Sequence, residues 1–430
     1  VLPTSHYAVE RVTLPNGLRV VLTPDPSAPV AGVAVVYDVG IRSEPEGRTG
    51  FAHLFEHLMF QGSANLEKLA HFRHVQGSGG TFNGSTHFDY TDYYETLPGN
   101  ALERALFLEA DRMRGPRLTE ENLRNQVDVV KEEIRVNVLN RPYGGFPWLK
   151  LPPVMFETYP NAHDGYGSFD DLEAATVADA AEFFDRYYAA GNAVLAVAGD
   201  FDVATATAMV ERHFGDVPAR PAPALPDFAE PDLTAERRHS YTDRLAPLPA
   251  VATAWRVPDP LTDLPAYLPY VVLAEVLTDG DASRLVERLV LRDRAVTSVG
   301  GYIGFMGEPF AVRDPTALLL QAHLPPGGDV DKVLRTIDEE ADRLATDGLA
   351  AGELARTQAR MVTHLLRDTD AVLGRAMQMA VLEVQRGNPG LINELPRLVG
   401  EVTEDEIRAA AASLTVNRRA TVEVVAGGAS

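Results

Sequence analysis

His53-Leu54-Phe55-Glu56-His57, set within the apolar stretch from Phe51 to Phe60, opens the argument for both chemistry and architecture. At helical spacing, positions i, i+3 and i+4 share a face, so both imidazoles and the carboxylate project from one side. Two neutral imidazoles held that way suit a tetrahedral Zn2+, and a carboxylate beside them can act as a general base. The order His-x-x-Glu-His inverts the commoner zinc-peptidase motif. Phe51, Leu54, Phe55, Leu58, Met59 and Phe60 make the segment apolar almost all round, which predicts a largely buried helix. Three ionisable groups buried together cost several kcal/mol unless something satisfies them, and a metal ion does so. The alternative is a buried helix whose histidines only pack and hydrogen-bond.

Zinc needs another protein ligand, and a catalytic site leaves one position for water. The stretch from Leu118 to Ile134 reads as a helix capped by Thr119, with Leu123, Val127, Val130 and Ile134 as its core stripe. At about 100° per residue, Glu133 lies roughly 80° from the centre of that stripe and can reach a partly buried site. Glu132 lies roughly opposite and should face water. Gln126, two turns earlier on the same flank as Glu133, is placed to hydrogen-bond a ligand from behind.

Several stretches together resemble the pitrilysin, insulin-degrading enzyme and mitochondrial processing peptidase family of zinc peptidases. Thr49-Gly-Phe-Ala-His-Leu-Phe-Glu-His-Leu-Met-Phe-Gln-Gly-Ser is similar to that family's metal helix, and Asn125-Gln-Val-Asp-Val-Val-Lys-Glu-Glu to the helix bearing its third ligand. Leu14-Pro-Asn-Gly-Leu-Arg-Val resembles its opening strand, and Asn192-Ala-Val-Leu-Ala-Val-Ala-Gly-Asp a central one. Gly79-Gly-Thr-Phe-Asn-Gly-Ser-Thr is similar to the edge strand that pairs with substrate. The resemblance implies one Zn2+ per chain on His53, His57 and Glu133, with Glu56 as the base. It also implies a substrate-binding strand through Gly80, Thr81, Phe82, Asn83, Gly84 and Ser85, joined by main-chain hydrogen bonds. Gln126 departs from the glutamate that many relatives carry there. The implied activity is that of a zinc-dependent endopeptidase, hydrolysing peptides or small unfolded polypeptides inside a clam-like chamber.

Length and composition agree with a globular protein of two or three domains: 430 residues, 45% hydrophobic and 23% charged. No apolar run reaches transmembrane length, and residues 1–6 show no charged-then-apolar export signal. The absence of cysteine removes disulfides, thiolate ligands and a cysteine nucleophile. A net charge of −22 argues against nucleic acid as a partner and suits basic peptides. Four lysines against thirty-five arginines point to a GC-rich bacterial genome, with the cytoplasm as the expected compartment and no membrane partner.

Residues 217–231 are rich in proline and read as a linker, giving a metal-bearing domain at 1–216 and a second, metal-free domain at 232–430. The order of elements repeats across it. A strand at 30–39 precedes the metal helix, and one at 250–257 precedes an apolar helix at 271–277. Leu54-Phe-Glu-His-Leu then matches Leu273-Ala-Glu-Val-Leu, so Glu275 takes the place of Glu56 while Val272 and Val276 replace the histidines. Segments 176–200 and 403–427 both read as a helix followed by a Val/Ala-rich strand. The expected fold class is α+β: two homologous mixed α/β-sandwich domains related by internal duplication.

One part of the machinery looks degraded. Resembling proteins stabilise the oxyanion with an Arg and a Tyr a few residues apart in the second half, and here Leu291 and Thr297 stand at those places. Either a homologous partner subunit supplies the Arg/Tyr pair in a heterodimer, or Arg292 or Arg294 with Tyr302 substitutes within this chain. A non-catalytic scaffold or peptide-binding subunit of the same fold is the competing reading. His71 and His74 read as surface residues, His364 as a lone histidine on a helix, and Gly77-Ser-Gly-Gly as a turn.

Overall fold

The computed structural model describes residues 6–427, which form two sheets flanked by helices. The first sheet contains β1 (Glu10–Thr13), β2 (Arg19–Pro24), β3 (Val30–Tyr37), β4 (Thr81–Thr86), β5 (Thr91–Pro98) and β6 (Ala193–Gly199). Its spatial order is β1-β2-β6-β3-β5-β4, so β6 is central and β4 is an edge. The second contains β7 (Arg237–Asp243), β8 (Ala250–Arg256), β9 (Ser298–Ile303), β10 (Ala317–His323) and β11 (Arg419–Ala426), ordered β7-β11-β8-β10-β9. The helices that matter below are α1 (Phe51–Leu58), α2 (Ala70–Gly77), α3 (Leu102–Arg114), α4 (Glu120–Ile134), α5 (Val177–Tyr187), α6 (Leu264–Thr278), α7 (Val372–Arg386) and α8 (Glu404–Ala412). Among the described residues no helix is long and apolar enough to cross a membrane.

Leave out β1 and the two sheets have one topology. In each, the last strand inserts between the first two, parallel to one and antiparallel to the other: β6 between β2 and β3, β11 between β7 and β8. The helices follow the same plan. α1 lies between β3 and β4 in the chain, and α6 between β8 and β9. α5 and α8 precede β6 and β11, and both start with a reciprocal cap, Thr176 with Asp179 and Thr403 with Glu406. The α+β architecture and its internal duplication are therefore visible in strand order. One expectation needs correction: Leu14-Pro-Asn-Gly-Leu is a hairpin turn with Gly17 at φ +91°, and the strand begins only at Arg19.

The two halves share a core. Side chains of β3 alternate, Val33 and Val35 packing with α1 and α5 while Ala34 and Val36 face the other way. That second face is covered by α7, a helix from the C-terminal half of the chain. The approach is close: a Cβ on Gly32 would lie 2.8 Å from the Cα of Leu373. Residues 217–231 have no helix or strand, yet they are pinned. Glu230 accepts hydrogen bonds from the amides of Glu157 and Thr158 at 3.0 and 2.8 Å, and Arg42 lies 4.4 Å over the Phe228 ring. Between the halves Arg42 donates to the Asp314 carbonyl at 3.2 Å, while Asp89 of its own half holds its Nε at 2.9 Å, and Arg313 donates to Asp38 at 2.5 and 3.0 Å. Gly32→Val should lower unfolding free energy by about 1–3 kcal/mol through overpacking, read as a shifted urea midpoint at unchanged slope.

A further contact across the seam titrates. His87 lies 2.9 Å from Glu308 of the second half through Nδ1, and 3.6 Å from Asp92 through Nε2. Burial opposes charge on this imidazole, but the adjacent carboxylates of Asp92 and Glu308 outweigh it and lift its pKa from 6.5 to about 10. A raised folded-state pKa gives stability that is complete below the unfolded value and lost as pH rises through the folded one. Urea unfolding free energy should therefore fall by on the order of a few kcal/mol between pH 6.5 and 10. Glu308→Gln should flatten that decline.

Candidate metal centre

α1 is short, and its start is fixed by a buried carboxylate. Glu44 accepts hydrogen bonds from the Gly50 and Ala52 amides at 3.0 and 2.7 Å, the donors a helix N-terminus leaves open. His163 holds Glu44 from behind at 3.0 Å. Gly50 has φ +82°, and a Cβ there would lie 2.5 Å from the Tyr166 carbonyl oxygen, so only glycine fits. The buried face of α1 presents Phe51, Leu54, Phe55 and Leu58, with Phe55 stacked among Phe183, Phe184 and Tyr188. His53, Glu56 and His57 occupy the other face, each half-buried.

α4 brings Glu133 to them. Its stripe of Leu123, Val127, Val130 and Ile134 is buried and Thr119 caps it, leaving Glu133 half-buried and Glu132 exposed. His53 Nε2 lies 3.8 Å from Glu133 Oε1, and His57 Nε2 lies 3.4 Å from Glu133 Oε2. One donor atom from each residue lies within 4.8 Å of the others. A zinc–nitrogen or zinc–oxygen bond of 2.0–2.1 Å implies tetrahedral edges of about 3.3 Å, so this two-nitrogen, one-oxygen set fits such an ion after a small contraction. Burial and then the neighbouring His57 push His53 down to about 4, leaving it a neutral donor. The hydrogen bond to His57 leads the causes that hold Glu133 below the ordinary carboxylate value.

Glu56 stands beside this set. Burial raises its pKa, against a 2.6 Å hydrogen bond from Thr86 Oγ1 to its Oε2. Gln126, buried on the expected flank, sits against His57, and its amide nitrogen donates to Asn125 Oδ1 at 2.7 Å. The centre opens into a cleft of about 650 Å³. Along one wall runs β4, whose outer edge has no strand neighbour among the described residues. Gly80, Thr81, Phe82, Asn83 and Gly84 line the cleft, whereas Ser85 does not. The lining residues all fall between His53 and Glu133. Leu291 and Thr297 are exposed elsewhere, Arg292 bonds Asp293, and Tyr302 packs into the core behind β9 and β10.

Reasoning from sequence missed several neighbours. Asn137, one turn beyond Glu133, donates to its Oε1 at 3.4 Å. Tyr166 stands edge-on to His53, ring centroids 5.1 Å apart, with its phenol near the Glu133 carboxylate. Thr86, Glu44 and His163 complete the surround. Asn137 could have been found at helical spacing, but Tyr166 and His163 come from an irregular connection that carries no periodicity. His71 is a correction: expected at the surface, it is buried, because Phe60 and Phe82 close over its ring. His74 and His364 are exposed, and Ser78 and Gly79 form the expected turn.

A family model described as Insulinase (Peptidase family M16) matches residues 19–142, and one described as Peptidase M16 inactive domain matches residues 174–361. The zinc protease PqqE of Helicobacter pylori is 26% identical over 404 residues, which span 93% of this chain and 89% of that protein. The crystal structure of a protease from the same organism superposes with a TM-score of 0.89 at 24% identity, covering 98% of this chain and all of the other. Pitrilysin superposes with a TM-score of 0.76 at 16% identity, and there this chain spans 45% of the larger one. For the centre itself, Asn137→Ala should weaken zinc binding about tenfold by freeing the Glu133 carboxylate, measured by competition with a chromophoric chelator.

Proposed function

Since the chain belongs to peptidase family M16, we propose that it is a zinc-dependent endopeptidase acting on extended peptides or small unfolded polypeptides. The reading rests on one observation: His53, His57 and Glu133 converge beside Glu56 in a cleft bounded by an open sheet edge. In this reading the first three residues are the zinc ligands and Glu56 is the base. Zinc bound there supplies Lewis acidity, polarising the scissile carbonyl and lowering the pKa of water. Glu56 takes the proton from the attacking water and delivers it to the leaving amine. Thr86 occupies one oxygen of Glu56, leaving the other to face the reacting atoms. The edge of β4 pairs with substrate main chain, which selects extended conformation over sequence.

A homologous partner completes the site. The tetrahedral intermediate needs donors aimed at its oxyanion, and the cleft is lined from the first half of this chain alone. Pitrilysin is about twice as long, so one of its chains has room for two units of this fold. The partner subunit is proposed to bring an Arg/Tyr pair to the open side. The scaffold reading is the weaker one, because the three metal-ligating side chains and the carboxylate beside them are together here.

Glu56→Gln should keep stoichiometric zinc and lose about 10²–10⁴-fold in turnover of an unstructured peptide. An unchanged rate would remove Glu56 from the base role. Full activity from the isolated chain would defeat the two-subunit reading alone, whereas bound zinc without cleavage, even beside a partner, would favour the scaffold.

A further inference from the structure

We propose that His71, Glu95 and Glu109 form a second cation site, buried behind the cleft wall and separate from the His53 cluster, which takes a divalent transition-metal ion through one imidazole and two carboxylates. The three residues come from α2, β5 and α3. His71 Nε2 lies 3.5 Å from Glu95 Oε2 and 3.9 Å from Glu109 Oε1, and one ligand atom from each lies within 4.8 Å of the others. All three are buried, at 8%, 0% and 1% exposure.

The unmet hydrogen-bonding capacity points to a ligand. His71 Nε2, both oxygens of Glu95 and Glu109 Oε2 are buried without a hydrogen-bond partner. Native interiors rarely leave several such atoms converging on one point. Charge tells the same story. Arg112 pairs with Glu109 Oε1 and lies over the Phe60 and Tyr93 rings, which offsets one carboxylate of the two. Arg112 also faces Glu95, but one guanidinium balances only one of the two carboxylates. Burial accordingly pushes both carboxyls up, Glu95 furthest, and pushes His71 down so that its ring is a neutral donor. A mixed imidazole and carboxylate set suits Zn2+ or Mn2+.

The site has a structural consequence for the cleft. Glu95 is the cross-strand partner of Phe82 on β4, and the His71 ring packs 5.2 Å from the Phe82 ring. A cation there would tie α2 and α3 to the sheet directly behind the edge strand.

Metal per chain, measured by mass spectrometry on protein purified without chelator from medium containing zinc and manganese, tests this. The expected result is two equivalents in the native chain, one in Glu95→Gln and one in His53→Ala, with Glu95→Gln melting lower. One equivalent in both the native chain and Glu95→Gln, lost in His53→Ala, would overturn the second site and leave the first standing. Equal or higher melting of Glu95→Gln would also overturn it, because a proton would then be what the cluster shares. Should Glu95→Gln fail to fold, the His53→Ala chain decides: one retained equivalent supports the site, and none overturns it.

Discussion

A single short helix must expose three ionisable side chains on one face while burying every other side chain it carries. α1 meets that requirement because both of its constraints are external. Glu44 fixes where the helix begins, and the Phe55 contacts with Phe183, Phe184 and Tyr188 fix how it is rotated. Burying a side chain of that size contributes about 1.5–3 kcal/mol, enough to hold the rotation against the cost of crowding His53 and His57, whose rings lie 4.8 Å apart. The carboxylate of Glu133 then arrives from α4, whose own orientation follows from its buried stripe. The start of the metal-site helix is thus set by a buried carboxylate and its rotation by apolar packing.

Duplication shows the same frame without the chemistry. α6 occupies the position of α1, but Val272 and Val276 are buried at 0% and 2% exposure. Burial, then Asp279, lifts Glu275 in that helix to about 7. The two valines close a core where α1 carries histidines, while Glu275 still borders a cavity of about 500 Å³. One half of the chain therefore carries reactive groups, and the other lends α7 to cover the second face of the first sheet.

Much of this was legible in the chain as written. The cap at Thr119 is local chemistry, and the stripe of α4 is a period, so both survive without knowledge of the fold. Of the stretch from Leu14 to Val20 likened to an opening strand, only Arg19 and Val20 are strand, because the chain turns at Gly17 with φ +91°. What stayed hidden depends on distant partners. Nothing near His71 in sequence announces that Phe82 and Glu95 will surround it. Likewise Tyr166 reaches Glu133 through an irregular segment, and the seat of Leu373 against Gly32 joins residues from opposite ends of the chain.

The seam between the halves bears on how a cleft of this kind admits a polypeptide. Arg42 joins Asp89, Asn161 and the Asp314 carbonyl, while Arg313 joins Asp38 through its guanidinium and Asp89 through its amide. Of these, the buried Arg313–Asp38 pair spans the halves, and separating it would strand charge in a desolvated surface, which is far costlier than breaking an exposed pair. α7 would also have to leave the apolar face of β3 and β6. The two halves therefore behave as one rigid wall. On the reading proposed above, room for a substrate lies at the free side of the cleft, beside β4.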